Sequence, residues 1–488
     1  MMKNIKKLIV AGGGTAGFVT ALILKTRFPA CEISIVKSNK IGIIGVGEGS
    51  TEHWNEFMQY IGINWPTVFK HCDATFKCGI MFKNWAHDDY MHSIGPENEI
   101  KNGQYPMVYG KLITEQVANK FFNPSLTWES KVYSMHLNPK EPPPYNQYHF
   151  NTHKLNEFLT KVCELKEIKI FDDEILDVKL NDLGEINSLV CAEREYTADF
   201  FIDSTGFKKV LITKLGAKWR SYSKYLRMKS AIVFPQEDTE KYNMWTTARA
   251  MDYGWMFNIP VWGRSGNGYI FDSEFITADQ AKEEVERVLD KKIEIGKHIN
   301  FDPGALDKVW IKNCCAVGLS ASFVEPLEAS SIGTSIQQAF LLMHRLPNYT
   351  EDTVQKYNKD VEDILTNIRD FVFLHYLTGK QHTEFWQLVS NIEHPEFLKE
   401  YLPRWKHNLP IADDFSFSTD YILFRDSHYL QILQGLKLFD IQSISNEYNV
   451  LHNINKNRAD DFLREIRTKE KTNAQIEHKE FIRQIRNS

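Results

Sequence analysis

The sequence predicts an α/β fold in which β-sheet segments interrupt a first domain and a mostly helical region follows it. Three observations support this prediction. Residues 5–40 follow the order strand, Gly-rich turn, helix and strand, which is one βαβ unit. Residues 229–272 alternate as β-strands do. From about residue 351 onward the apolar spacing is helical.

These patterns divide the 488 residues into two parts. Residues 1–345 are expected to form the first part, with β-rich segments inserted at about 75–150 and 220–300. Residues 346–488 form the mostly helical second part. The end of this part is highly charged, which is typical of a solvated helix.

Composition excludes several classes of protein. The formal net charge of −5 argues against a nucleic-acid partner, which usually requires a basic domain. The seven cysteines include no CxxC pair, so we expect neither a disulfide framework nor a metal site, and we expect a reducing, cytoplasmic compartment. Because no run of about 18 apolar residues occurs, no membrane association is expected.

The Gly-rich turn carries a nucleotide-binding pattern. Gly12, Gly14 and Gly17 form GxGxxG after a strand and before a helix, with Thr15 and Ala16 between the last two glycines. Such glycines allow a tight turn and a close approach to a pyrophosphate, whose charge the helix N-terminus stabilises. An acidic residue normally follows at the end of the second strand and binds the ribose. Lys37 stands there, which weakens a simple NAD assignment.

Two later segments favour FAD. DFFIDSTGF (199–207) ends a strand in Ser-Thr-Gly, as in FAD enzymes, and no second GxGxxG occurs. Residues 309–333 predict a strand, a loop and then a helix over 331–345, with Ser330 or Ser331 as its N-cap. The free N–H groups of that helix suit a flavin ring or a small anion.

Seven blocks in the same order make the sequence similar to the flavin-dependent halogenases of the tryptophan-halogenase type. They cover nearly the whole chain. GVGEGS resembles the family's GVGEAT strap, and GWMFNIP resembles its GWxWxIP signature. The blocks are GGGTAG (12–17), GVGEGS (45–50), ATFKCGIMFKNW (74–85), FIDSTGF (201–207), GWMFNIP (254–260), NCCAVGLSASFVEPLEASSI (313–332) and IRDFVFLHY (368–376).

The resemblance implies a mechanism and two catalytic residues. Such enzymes receive reduced FAD from a separate flavin reductase, and with O2 and a halide anion they make hypohalous acid, which crosses an internal tunnel. Lys77 matches the lysine at the end of the tunnel, either as an ammonium that hydrogen-bonds hypohalous acid or as an amine that forms a haloamine. Glu328 matches the glutamate that stabilises the cationic intermediate and accepts the ring proton. Glu325 matches a structural glutamate.

The resemblance also assigns the remaining site residues. The halide is expected on the backbone N–H groups of Ser330 and Ser331, next to Ala329, which replaces the family's serine. Trp255 and Phe257 are expected to separate flavin from substrate. The expected cofactor-binding set is Gly12, Gly14, Thr15, Ala16, Gly17, Lys37, Gly47, Glu48, Ile175, Leu319 and Ile332.

The substrate is expected to be an electron-rich aromatic molecule other than free tryptophan. His92 matches the substrate-side HxF segment of the family, but Ile94 replaces its aromatic residue. The C-terminal cluster that holds the amino acid is not recognisable in residues 419–432. His375 is expected to be a packed helix residue.

Two alternatives remain open. The first is a flavin-dependent aromatic monooxygenase, although such enzymes usually place Asp after the glycine where Leu319 follows Gly318. The second is a non-catalytic FAD-binding protein. Related enzymes are commonly dimers, so the resemblance also allows a homo-oligomer.

Overall fold

The structure is a computed structural model that describes residues 5–42, 48–93, 105–115, 129–138, 143 and 145–488. Its first layer is a six-stranded sheet, mostly parallel, in the order β21-β22-β13-β1-β2-β9. The central strand β1 is nearly fully buried, as expected for a parallel strand covered on both faces. The strands are β1 (Lys7–Ala11), β2 (Glu32–Lys37), β9 (Lys169–Asp172), β13 (Phe200–Asp203), β21 (Trp310–Ile311) and β22 (Cys314–Ala316).

A second sheet joins the two β-rich segments that the sequence predicts. Its order is β19-β15-β18-β17-β16-β5-β6, antiparallel except where β5 pairs in parallel with β16. The strands are β5 (Gly79–Lys83), β6 (Tyr90–Ser93), β15 (Ser230–Glu237), β16 (Thr246–Ala250), β17 (Gly254–Val261), β18 (Arg264–Phe271) and β19 (Lys297–Asn300).

Short sheets connect these two layers. One has the order β3-β8-β4 and places Lys77 opposite Gln147. Its strands are β3 (Glu48–Gly49), β4 (Thr75–Lys77) and β8 (Gln147–Phe150). The other short strands are β7 (Lys131–Tyr133), β10 (Ile175–Leu180), β11 (Ile186–Cys191), β12 (Glu195–Thr197), β14 (Trp219–Ser221), β20 (Gly304–Leu306), β23 (Ser322–Phe323) and β24 (Gln475–Glu477).

Helices cover the sheets and form most of the second half of the chain. The first eight are α1 (Thr15–Arg27), α2 (His53–Ile61), α3 (Trp65–His71), α4 (Tyr105–Thr114), α5 (Thr152–Leu165), α6 (Val210–Lys214), α7 (Ala278–Leu289) and α8 (Ser330–Arg345). The others are α9 (Glu351–Leu374), α10 (Glu384–Ser390), α11 (Glu396–Trp405), α12 (Asp426–Gly435), α13 (Ile441–Asn449), α14 (Asn453–Thr472) and α15 (His478–Asn487). In the described ranges, no helix is long and apolar enough to cross a membrane.

The interior of the fold centres on α8. All but three of its sixteen residues are buried, and it packs against α1 and α9. The first turn of α8 therefore starts deep inside the protein, beside the parallel sheet. One continuous apolar core spans both halves of the chain.

The expectation of a solvated C-terminal helix is wrong for α15. Strand β24 pairs with β7, and α15 then buries His478, Phe481, Ile482 and Ile485. These positions follow the i, i+3, i+4, i+7 spacing of one helix face, which the surrounding charges conceal. The ring of His478 accepts a hydrogen bond from the Phe76 N–H at 3.1 Å, so the end of the chain holds the strand that carries Lys77.

We predict that His478→Ala destabilises the protein by about 1–3 kcal/mol, because it leaves the buried Phe76 N–H without an acceptor. Thermal unfolding followed by fluorescence measures the change. The matched control is Arg483→Ala on the exposed face of the same helix. Equal midpoints for the two variants would contradict the assigned contact.

Candidate active site

The Gly-rich turn fits a dinucleotide pyrophosphate. Gly12 has a φ of +109°, and a Cβ there would lie 2.1 Å from the Ser204 carbonyl oxygen. A Cβ at Gly17 would lie 2.6 Å from the Gly12 carbonyl oxygen, so both positions require glycine. At Gly14, the N-cap of α1, none of the described residues fills the space around a Cβ, and none of their side chains caps the helix. The first N–H groups of α1, which begins at Thr15 and Ala16, are thus free for an anion.

The other expected cofactor residues occupy different positions around this turn. The stem of Lys37 lies against Gly13, since a Cβ there would be 2.3 Å from Lys37 Cδ. Leu319 follows Gly318, where a Cβ would be 2.5 Å from the Cβ of Ala16. Ile332 is buried in the first turn of α8, whereas Ile175 begins β10 in a separate sheet. The predicted residues Gly47 and Ile94 lie outside the described residues.

Glu48 carries an unusual carboxyl group at the start of β3. Its Oε2 is buried and has no hydrogen-bond partner among the residues that the structure describes. Burial raises the pKa of this carboxyl to about 7. A buried polar atom without a partner is expensive, so it marks a place where a ligand donor would be accepted.

The expectation that Ser330 or Ser331 caps α8 is wrong. Ala329 is the N-cap, in the left-handed region with a φ of +52°, and no side chain caps the helix. Ser330 is buried and Ser331 is exposed. The first N–H groups of α8 have no partner within the helix, so they can donate hydrogen bonds to an anion. A cavity against this turn is lined by Gly318, Ser322, Phe323, Val324, Ser330, Ser331, Thr334, Leu365 and Ile368.

Lys77 is fully buried at the end of β4. Its Nζ donates a hydrogen bond to the Ser50 carbonyl at 2.8 Å. Burial lowers the pKa of Lys77 to about 8, against the charges of Glu328 and Glu52, which raise it. Both the ammonium and the neutral amine are therefore accessible near neutral pH.

Gly49 lies between Lys77 and the start of α8. A Cβ at Gly49 would be 3.2 Å from the Cβ of Ala329 and 3.6 Å from Lys77 Nζ. The α8 N-terminus and the Lys77 amine are thus separated at this point by little more than the width of one side chain. In the matching blocks of the family, Ala and Ser stand at these two positions.

Glu328 is held between two histidines. Its Oε2 lies 2.7 Å from Nδ1 of His92 on β6, and its Oε1 lies 2.8 Å from Nε2 of His375 at the end of α9. All three side chains are almost fully buried. Burial alone would raise the pKa of Glu328, but the charge of His92 and the hydrogen bonds of both histidines outweigh it and hold that pKa well below its usual range. Glu328 is therefore a carboxylate over the physiological pH range.

Glu325 anchors the predicted barrier. The indole N–H of Trp255 donates to Glu325 Oε2 at 2.8 Å, and the Tyr376 hydroxyl donates to the same oxygen. Trp255 and Phe257 are both buried on one face of β17, with ring centroids 6.1 Å apart. Burial raises the pKa of Glu325 to about 7. His375 and Tyr376, which are adjacent in the chain, thus contact Glu328 and Glu325, which both lie in the loop before α8.

The structure adds residues that the sequence reasoning missed. His375, expected only to pack, contacts Glu328, and His428 on α12 lies 2.9 Å from the second ring nitrogen of His92. Burial and the charge of His92 lower the pKa of His428 to about 4. Gln147, opposite Lys77, donates to Glu52 at 3.1 Å. In the described ranges, no group of three or more His, Cys, Asp or Glu side chains is arranged to hold a metal ion.

Comparison with known proteins agrees with this geometry. The tryptophan halogenase family model matches residues 7–446. The chain is 30% identical over 449 residues to the 7-chloro-L-tryptophan 6-halogenase KtzR of Kutzneria sp. (strain 744), covering 83% of this chain and 85% of that protein.

Solved structures give the same result. The tryptophan 6-halogenase SttH of Streptomyces toxytricini superposes with a TM-score of 0.87 at 26% identity, covering 98% of this chain and 100% of that one. Tar14, a tryptophan C-6 flavin-dependent halogenase (chlorinase) from taromycin biosynthesis, superposes with a TM-score of 0.89 at 25% identity and covers 99% and 100%. The chain therefore belongs to the tryptophan halogenase family and is an enzyme of the flavin-dependent halogenase class.

Proposed function

We propose that this enzyme halogenates an electron-rich aromatic molecule other than free tryptophan, using hypohalous acid that is passed to Lys77. The proposal depends on one observation. Gly49 lies close both to the N-terminus of α8 and to the buried Lys77 amine, so these two groups are near each other. The N-terminus of α8 suits a halide anion, and the desolvated Lys77 amine suits the hypohalous acid formed from it. The short distance between them would let the hypohalous acid reach Lys77 without loss to water.

FAD is the cofactor that the Gly-rich turn suits. The free N–H groups of α1 would hold its pyrophosphate, with Lys37 beside the turn. Reduced flavin and O2 would supply the oxidising equivalents for the halide. Ser330 and Ser331 would hold the halide through their backbone N–H groups, and the partner that delivers reduced flavin would be a separate flavin reductase.

Lys77 and Glu328 then have different roles in the reaction with the aromatic substrate. The Lys77 amine orients and activates the electrophilic halogen, as a hydrogen-bond donor or as a haloamine. The carboxylate of Glu328 stabilises the positive charge that develops on the ring and receives the ring proton. Trp255 and Phe257, fixed through Glu325, keep the ring away from the flavin, so halogenation prevails over direct hydroxylation.

The side chains near Lys77 support a substrate other than the free amino acid. Glu52, Gln147 and His428 surround this region, and residues 419–432 carry no tyrosine and glutamate cluster of the kind that holds tryptophan. The missing cluster therefore favours a phenol or an indole without the amino acid group as the substrate.

We predict that the enzyme with reduced FAD, O2 and halide adds a halogen to at least one ring in a panel of phenols and indoles, and that free tryptophan gives less product. Mass spectrometry of reactions with chloride, bromide or iodide measures the yield. Lys77→Met should lower it by at least about 100-fold, because the electrophile loses its donor. The control is Lys70→Met on an exposed position of α3.

Products with one added oxygen and no halogen would contradict the proposal in favour of a monooxygenase. An equal halogen yield from Lys77→Met would remove Lys77 from the mechanism. No product from any ring, with FAD still bound, would favour a non-catalytic FAD-binding protein.

We also predict that Gly49→Ala and Ala329→Ser shift halide use toward chloride. Each substitution adds atoms at a point where a Cβ at Gly49 would already be only 3.2 Å from the Cβ of Ala329. Because the larger halides need more space there, the yield of brominated and iodinated product relative to chlorinated product should fall by about tenfold in the double variant. Competition between halides in one reaction measures the ratio. Gly296→Ala, where a Cβ makes ordinary contacts, is the control. An unchanged ratio in the double variant would show that this point does not select the halide.

A further inference from the structure

The end of α9 fixes the position of one proton on His375. The last turn tightens, so that the backbone N–H groups of His375 and Tyr376 bond to the carbonyls three residues earlier, at Val372 and Phe373. The Phe371 carbonyl is left for the His375 ring, whose Nδ1 lies 2.8 Å away. A carbonyl oxygen only accepts, so Nδ1 must carry a hydrogen.

This tautomer has a consequence for the contact with Glu328. A neutral imidazole that is protonated on Nδ1 has a lone pair on Nε2, which would face the lone pairs of Glu328 Oε1 at 2.8 Å. The contact is therefore attractive only when one proton lies between the two atoms, and without that proton the two lone pairs repel each other, so the pair as a whole is a base. Since Glu328 is a carboxylate, the pair that holds the proton is an imidazolium beside a carboxylate.

His92 differs from His375 in this respect. Its Nδ1 faces Glu328 Oε2, but its Nε2 faces Nδ1 of His428, which can donate or accept. Both contacts are satisfied by a neutral His92, with Nδ1 donating and Nε2 accepting, and equally by a charged His92 that donates from both nitrogens. The arrangement of His92 thus demands no additional proton, whereas that of His375 does.

We propose that Glu328 and His375 act as one pair that holds the proton displaced from the aromatic ring, with His375 as a positioning residue that acts through Glu328. This inference rests on the proposed halogenation. When the carbon–halogen bond has formed, the C–H bond breaks and its electron pair returns to the ring. Before the reaction the pair lacks this proton. The proton passes to Glu328 and is then shared between Oε1 and His375 Nε2, so the pair gains one proton and one positive charge.

The surroundings favour retention of this proton within the pair. The His375 ring is fully buried between the rings of Phe82 and Phe371, at centroid distances of 4.8 and 5.0 Å. Water is thus excluded from the shared bond. The titratable groups that interact with Glu328 from neighbouring elements are Lys77 on β4, Tyr90 and His92 on β6 and His428 on α12.

The first test needs no substrate. The ¹⁵N spectra of the full-length protein labelled at histidine are recorded from pH 5.5 to 9, and His375→Gln identifies the signals of His375. We expect Nδ1 to carry a hydrogen over the whole range. In Glu328→Gln the side-chain amide can donate to Nε2, so the ¹⁵N shift of Nε2 should move toward that of an unprotonated ring nitrogen. An unprotonated Nδ1, or an Nε2 shift that is equal in both proteins, would overturn the pair.

The second test uses the aromatic ring with the highest yield in the panel above. In the wild type, activity should fall as the pH drops through the midpoint of the pair, because a pair that already holds its proton cannot accept another. His375→Gln keeps a donor to Glu328 but cannot hold the proton, so its acid limb should move down by about one pH unit or more. The control is His87→Gln, at a side chain that is 84% exposed.

The two tests separate the possible failures. An acid limb that is unchanged in His375→Gln would overturn the role of the pair in proton removal. A pair that gives the expected ¹⁵N shifts in a protein that halogenates no ring would count against the proposed function instead.

Discussion

The burial of the Lys77 amine is the constraint on which the rest of the site depends. An ammonium loses most of its hydration when it is fully buried, so the fold must either supply compensating groups or allow the proton to leave. Here the Ser50 carbonyl and the nearby carboxylates Glu328 and Glu52 compensate in part. The result is an amine whose pKa lies close to neutral pH, as the proposed role of Lys77 requires.

Segments that are remote in the chain meet around the buried Lys77 amine. Strand β4 carries Lys77 and is held by β8 on one side and by His478 of the last helix on the other. Gly49 brings the strand next to the first turn of α8, where Ala329 leaves the helix N-terminus uncapped by any side chain. One dipeptide, His375 and Tyr376, then fixes both Glu328 and Glu325. The loop before α8 thus positions the Glu328 carboxylate and, through Glu325, the Trp255 indole.

Much of this could be predicted from the sequence, but the pairing of polar groups could not. Residue order and motif spacing located the βαβ unit, the strand of Lys77 and the loop of Glu328, because local patterns report local structure. The contacts of His375 and His428 with the Glu328 site join elements that are remote in the chain, and a helical histidine gives no sign of its partner. The N-cap of α8 was misassigned because Ala329, and neither serine, takes the left-handed conformation. The apolar face of α15 was concealed by the charges around it.

The account is tested most directly by the pKa of Lys77 in the folded protein. Competitive acetylation at a series of pH values, with the modified peptides quantified by mass spectrometry, gives this pKa beside those of exposed lysines in the same sample. The account predicts a pKa of about 8 for Lys77 and a higher value in Lys77-containing peptides from the unfolded chain. A folded-state pKa near the ordinary 10.5 would contradict it, since the carboxylates would then outweigh the effect of burial and the amine would stay fully charged at the working pH.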